Sequence, residues 1–163
     1  MYLENYIQLW KDLAQQHIPS FDFYRLNHNE MNDAIRNKIQ YPMLQLEEYD
    51  GVLKKNSPTG TKFNDRQNCA IIITNKINKG DYDDEQTKLK DLKKWGAQLF
   101  ARILEKDMLQ EYCPNSPMSI DESAGIKYFL TDWMADNSRG WRIEFELISE
   151  GKEMIYDPTQ WQI

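Results

Sequence analysis

The alternation of hydrophobic and polar positions is most regular near the C-terminal end of the chain. The stretch GWRIEFELISEG, residues 140–151, changes between apolar and charged side chains with a period of two, which is typical of a strand with one face in the core. The apolar face carries Trp141, Ile143, Phe145 and Leu147, and the charged face carries Arg142, Glu144 and Glu146. IKYFLTDW, residues 126–133, predicts a preceding strand, and the intervening MADNSR favours a turn. The two stretches therefore predict a hairpin.

Three earlier stretches also predict strands. FDFYRL, residues 21–26, is short, aromatic and alternating, and YPMLQLEEYDGVLKK, residues 41–55, alternates from Leu44 onward. QNCAIIITNKI, residues 67–77, is apolar on both faces, which is typical of a central strand, and we expect it to pair with the strand before it. Residues 55–65, rich in Pro, Gly, Ser, Thr and Asn, predict a loop at the tip of this long hairpin.

Helical periodicity appears at two places. Residues 2–17 place apolar side chains three and four positions apart, and so do residues 83–108, where Asp81, Asp83 and Asp84 are candidate N-terminal caps. A short helix is predicted within residues 27–40, and residues 113–125 are interpreted as a loop or irregular segment.

The order of these elements predicts an α+β fold. We expect a mainly antiparallel sheet of about four or five strands, with the N-terminal helix and the long helix packed on one face. A chain of 163 residues is the size of one domain, which we place at residues 1–150, followed by a C-terminal tail at residues 151–163.

Composition narrows the classes of partner. The net charge of -6 argues against general binding to nucleic acid or to an anionic membrane. No apolar run is long enough to span a bilayer, and the N-terminal stretch does not have the pattern of a secretory signal, so we expect synthesis in the cytoplasm. Cys69 and Cys113 belong to no metal-binding pattern; two free thiols are the simpler interpretation, and a disulfide is the alternative.

The sequence contains no recognisable catalytic, metal or cofactor signature. Its glycines form neither of the common phosphate-binding motifs, and neither His17 nor His28 has a second ligand at metal spacing. Cys69 lies in the strand predicted at the centre of the sheet, where a thiol acts as a small apolar side chain. We therefore predict no catalytic residue, no metal and no cofactor.

Two charged groups are candidates for contacts between subunits. The first makes the central hairpin locally basic, either as a solvated tip or as a contact to an acidic partner: Lys54, Lys55, Lys62 and Arg66. The second is the charged face of the last strand, which either faces water or forms ion pairs with an adjacent subunit: Arg142, Glu144 and Glu146.

The chain resembles the tail terminator and tail completion proteins of long-tailed bacteriophages. The resemblance covers residues 1–150 and is carried by an N-terminal amphipathic helix, the strands YPMLQLEE and CAIIITNKI, the helix through WGAQLFARIL, and the closing hairpin that ends in GWRIEFELI. It implies a structural virion protein without an active site. Such a subunit forms a ring, usually a hexamer, that caps the tail tube and joins it to the head-side connector.

Two other functions remain open. The chain could instead be a cytosolic binding module, accessory or immunity-like, that acts as a monomer or dimer. The third hypothesis is an enzyme without a recognisable motif, and it requires a buried pair of carboxyl groups with raised pKa values in a cleft.

Overall fold

Within the residues that the structure describes, three helices pack with a seven-stranded sheet. The computed structural model describes residues 3–25, 39–55, 63–106, 108–114, 118–134 and 136–150. The helices are α1 (Leu3–Gln16), α2 (Tyr82–Lys106) and α3 (Met108–Tyr112). The strands are β1 (Asp22–Arg25), β2 (Met43–Leu46), β3 (Asp50–Lys55), β4 (Phe63–Lys76), β5 (Met118–Ile120), β6 (Lys127–Leu130) and β7 (Ser138–Glu150).

Two long antiparallel strands, β4 and β7, form the centre of the sheet. Residues 64–76 of β4 pair with residues 138–150 of β7 along their full length. On the outer side of β4, β2 pairs with residues 71–74 and β3 with residues 63–68. On the outer side of β7, β6 and β5 pair with successive parts of that strand. At the far side of β2, β1 extends the sheet by pairing with β2 in parallel. Each side of the central pair is thus covered by two short strands with a break between them.

The helices cover one face of this sheet. Trp10 of α1 lies with its ring centroid 5.6 Å from those of Phe100 in α2 and Phe145 in β7. The Trp141 indole N–H donates to the carbonyl of Leu89 at 2.8 Å, which joins β7 to α2. Alternate side chains of β4 and β7 supply the sheet side of this core, among them Ile71, Ile73, Ile143, Phe145 and Leu147.

The predicted α+β class, the two helices and the central position of residues 67–77 are confirmed. Asp81 caps α2, because its carboxylate accepts the backbone N–H of Asp84 at 3.0 Å. The strand count was too low, and the sheet is mixed because β1 and β2 are parallel.

Three local predictions were wrong. Residues 41–55 form two strands, because the chain leaves β4 at Glu47 and returns to it at Asp50. At the ends of the predicted 55–65 loop, Lys55 and residues 63–65 pair within the β3–β4 hairpin, and residues 56–62 lie outside the described residues. The segment 113–125 contains β5, which is held by β7 despite its polar neighbours. Residues 27–38 of the predicted helix and the tail at 151–163 also lie outside the described residues.

Two glycines allow close approach to Ile73. A Cβ on Gly140 in β7 would overlap the Ile73 carbonyl oxygen and lie 2.7 Å from the Cα of Thr74, which are backbone atoms of the paired strand. A Cβ on Gly96 in α2 would lie 2.6 Å from the Ile143 Cδ1 and 3.0 Å from the Ile73 Cδ1, which are side-chain ends that can shift.

We expect Gly140→Ala to destabilise the fold by about 3 kcal/mol or more, because the central backbone must separate. Gly96→Ala is the matched control and should cost less than about 1 kcal/mol, since alanine favours the helix. Urea unfolding of both variants measures the difference. A Gly140→Ala loss no larger than that of Gly96→Ala would contradict the close approach of β7 to β4.

Candidate assembly surface

The sheet face opposite the helices carries the charged side chains of β7, whereas Met43, Gln45, Ile72 and Thr74 at its β2 end are buried. Because side chains alternate along a strand, Arg142, Glu144 and Glu146 share this open face with Arg66 and Asn68 of β4. Asn68 is exposed, and the other four are partly buried. The positions of these side chains therefore depend on the ion pairs that they form.

Arg142 is bound by two carboxylates of its own chain. Its Nε lies 3.0 Å from the Glu47 Oε1 and its Nη2 lies 2.7 Å from the Glu47 Oε2, a bidentate geometry. Glu144, two residues along β7, also contacts Arg142. The hydrogen bonds that Arg142 donates to the Glu47 carboxylate raise the pKa of Arg142, and partial desolvation opposes this shift.

Arg66 makes a second set of ion pairs on the same face. Its Nη1 lies 2.9 Å from the Glu146 Oε1 and 3.0 Å from the Asp121 Oδ2. Asp121 also accepts the Ser123 hydroxyl at 2.6 Å and the Ser123 N–H at 2.9 Å. The Ser123 hydroxyl is the main reason that the pKa of Asp121 is lowered from 3.8; partial desolvation opposes this shift, and the Ser123 N–H and Arg66 add to it.

Both sets of ion pairs occupy the breaks in the flanking strands. Glu47 lies between β2 and β3, and Asp121 lies between β5 and β6. A shallow cleft of about 460 Å³ crosses the open face between these breaks, with Glu48, Asp50, Lys127 and Glu144 among its lining residues. The ion pairs of Arg66 and Arg142 thus connect the two strand breaks to the central strands.

The enzyme hypothesis requires a buried pair of carboxyl groups with raised pKa values. Among the described residues, the carboxyl groups with a shifted pKa are Asp84, Asp121 and Asp136, and all three are shifted downward. Burial raises the pKa of the Cys69 thiol to about 12, so it stays protonated and is a poor nucleophile. In the described part of the chain, no group of three or more His, Cys, Asp or Glu side chains could hold a metal ion.

The two thiols are confirmed as free and buried. Cys69 lies on the core face of β4, and Cys113 directly follows α3. The interpretation of Cys69 as a core side chain is therefore confirmed.

Two edges of the sheet expose apolar side chains, in contrast to the charged side chains of the open face. All six residues of β3 are exposed, including Val52 (48%) and Leu53 (42%). Among the described residues, no strand pairs with the outer side of β3. The β6 edge, beyond β7, exposes Phe129 and Leu130, and Trp133 follows close by. Within the described parts of the chain, two strand edges without a paired neighbour therefore lie on opposite sides of the sheet, each with adjacent apolar side chains.

Six of the seven residues predicted at a subunit interface are described by the structure, and they fall into two groups. Arg66, Arg142, Glu144 and Glu146 make ion pairs within the chain. Lys54 and Lys55 lie on the exposed edge strand β3, and Lys62 lies outside the described residues. Sequence reasoning missed Glu47 and Asp121, because each lies in a strand break more than fifty residues from its arginine partner.

We expect Ser123→Ala to lower the free energy of unfolding at neutral pH, because it removes a hydrogen bond to the Asp121 carboxylate. Since the folded-state pKa of Asp121 is lowered, this stabilisation is present above its unfolded pKa and is lost as the pH falls through the folded value, below 3.8. Urea unfolding at several pH values measures the difference from the unsubstituted chain.

The control for this measurement is Ser119→Ala, at an exposed position of β5. It should change stability little at any pH. A Ser123→Ala effect that stays constant from neutral pH to pH values well below 3.8 would contradict the role assigned to the charged Asp121.

Comparison with known proteins gives no further guide to this surface. The chain matches no protein-family model, and no curated protein is significantly similar to it. Within the described residues, none of the helices has both the length and the apolar character needed to cross a bilayer.

Proposed function

We propose that this chain is a structural subunit of the neck or tail of a long-tailed bacteriophage. In this role it forms a ring, as a hexamer, that caps the tail tube and presents a surface to the head-side connector. The observation that carries the proposal is the pair of exposed, partly apolar strand edges on opposite sides of one sheet. The resemblance in element order supports the specific virion role.

Unpaired strand edges favour assembly over a solitary subunit. Single exposed apolar side chains are common on soluble proteins. Two edge strands instead expose adjacent apolar residues, Val52 with Leu53 and Phe129 with Leu130. Proteins usually cover such residues on an edge strand or replace them by charged ones. A ring subunit would cover such edges through its neighbours.

A subunit in a tail cap must contact several neighbours at once, and the described surface offers separate places for this. Besides β3 and β6, the helical layer exposes Ile18 at the end of α1 and Leu104 near the end of α2. The ion pairs of the open face are satisfied within the chain, so they can stabilise the subunit before assembly. Together these features support a non-catalytic role through protein contacts.

The β6 edge provides a test of this proposal. The proposal requires a tail tube protein in the same phage, and we expect the purified chain, mixed with that protein, to appear in negative-stain images as rings at tube ends. The double substitution Phe129→Ser and Leu130→Ser should abolish the rings and leave the fold intact, because both side chains are exposed.

The matched control is the double substitution Lys90→Ser and Lys94→Ser, at exposed positions on α2. It should leave ring formation unchanged. A chain that stays monomeric or dimeric at high concentration and does not bind tube ends would overturn the proposal and favour the binding-module alternative.

A further inference from the structure

The edge strand β3 has a self-complementary sequence. Reading DGVLKK, an acidic residue and a glycine are followed by two apolar residues and two lysines. The register with β4 places Asp50, Val52 and Lys54 opposite Asn68, Arg66 and Asn64, so they share the open face of the sheet. Gly51 and Leu53 lie on the other face.

We propose that β3 pairs with β3 of a second copy of this chain, antiparallel and about a two-fold axis at Val52. This contact would join two seven-stranded sheets into one continuous sheet. It goes beyond the proposed function, because a two-fold contact alone does not make a ring. Neighbours in a ring with two different ends are not related by a two-fold axis, so the β3 pairing describes the free chain in solution and not the contact between neighbours in the tail cap.

The register about Val52 matches every opposed pair of side chains. An axis perpendicular to the sheet keeps the open faces of both copies on the same side, so Val52 meets the partner's Val52. Asp50 is then opposite the partner's Lys54, and the symmetry produces this ion pair twice. On the other face, Leu53 lies opposite the partner's Gly51, where the absence of a side chain leaves room for it.

Asp50 can accept this additional contact. Its Oδ1 already accepts the Asn68 side-chain amide at 2.9 Å, and a carboxylate has acceptor sites for several bonds. Lys54 is exposed, so its ammonium group can reach across the strand pair.

Other pairings of β3 are less favourable. If the axis moves by one residue to Leu53, Val52 faces the partner's Lys54 and the ion pair with Asp50 is lost. If β3 instead adds antiparallel to the β6 edge with Val52 opposite Phe129, Lys54 faces Lys127 of β6. Charged residues on an edge strand normally discourage pairing. Here they discourage other strands but suit a second copy of β3.

Cross-linking tests the register directly. In Val52→Cys, the two new thiols lie across the axis, and directly opposed antiparallel residues are close enough for a disulfide. Lys54→Cys is the matched control on the same strand and face, because the two copies of residue 54 would be about 13 Å apart along the strands. The native Cys69 and Cys113 are buried and should not react.

We expect mild oxidation at high micromolar concentration to give a disulfide-linked dimer of Val52→Cys at least about tenfold faster than of Lys54→Cys. Equal rates for the two variants, or a faster reaction of Lys54→Cys, would overturn the proposed register. A Val52→Cys chain that stays monomeric would overturn the two-fold contact itself.

Charge reversal supplies a second test that does not depend on thiol chemistry. Asp50→Lys and Lys54→Asp should each weaken self-association by at least about tenfold, because each places like charges opposite one another twice. An equimolar mixture of the two variants should associate again, since every opposed pair is then of opposite sign. Sedimentation equilibrium measures both effects, and a mixture as weak as the single variants would contradict the pairing.

The outcomes for the ring and for the two-fold contact are separable. Rings at tube ends together with a negative cross-linking result would leave the proposed function in place and reject the β3 pairing. A cross-linked dimer without any rings would support the β3 pairing and reject the tail-cap function. Thermal unfolding of each variant checks that the exposed substitutions leave the fold unchanged.

Discussion

The antiparallel pairing of β4 with β7 is the constraint on which the rest of the structure depends. Each strand provides thirteen residues to it, from Asn64 to Lys76 and from Ser138 to Glu150. Every other strand attaches directly to one of these two or, for β1, through β2. Gly140 allows the backbone of β7 to lie close to the backbone of β4 at Ile73 and Thr74. A change in this register by one residue would turn the apolar side chains of one strand to the face that carries the polar side chains of the other.

That register also determines the chemistry of the open face. It brings Arg66 and Arg142 onto the same side, and each arginine binds one carboxylate from a strand break and one from β7. The charged row is therefore part of the subunit's own stability. Val52, Leu53, Phe129 and Leu130, at the strand edges, are exposed. This division between internal ion pairs and exposed edges is the basis of the proposed assembly role.

Periodicity predicted the features that depend on local sequence. Period-two alternation identified β7, an apolar run identified β4, and helical spacing identified α1 and α2, because each pattern reflects burial on one side of an element. The break at Glu47 was not predictable in this way, since hydrophobic residues continue on both sides of it. The strand β5 is three residues long, which is too short for a periodic signal, and β7 holds it in place. The partners of Arg66 and Arg142 are distant in sequence. The pattern of charged residues therefore identified the two arginines as candidates but did not identify Asp121 or Glu47.

The central claim of this account is that the chain works through its strand edges, and above all through β3. Amide hydrogen exchange of the segment 50–55, measured across a range of protein concentrations, tests it most directly. The account predicts that protection in this segment rises with concentration, while the core segments of β4 and β7 are protected throughout. Exchange in residues 50–55 that stays the same from low concentration to concentrations at which the chain self-associates would contradict it.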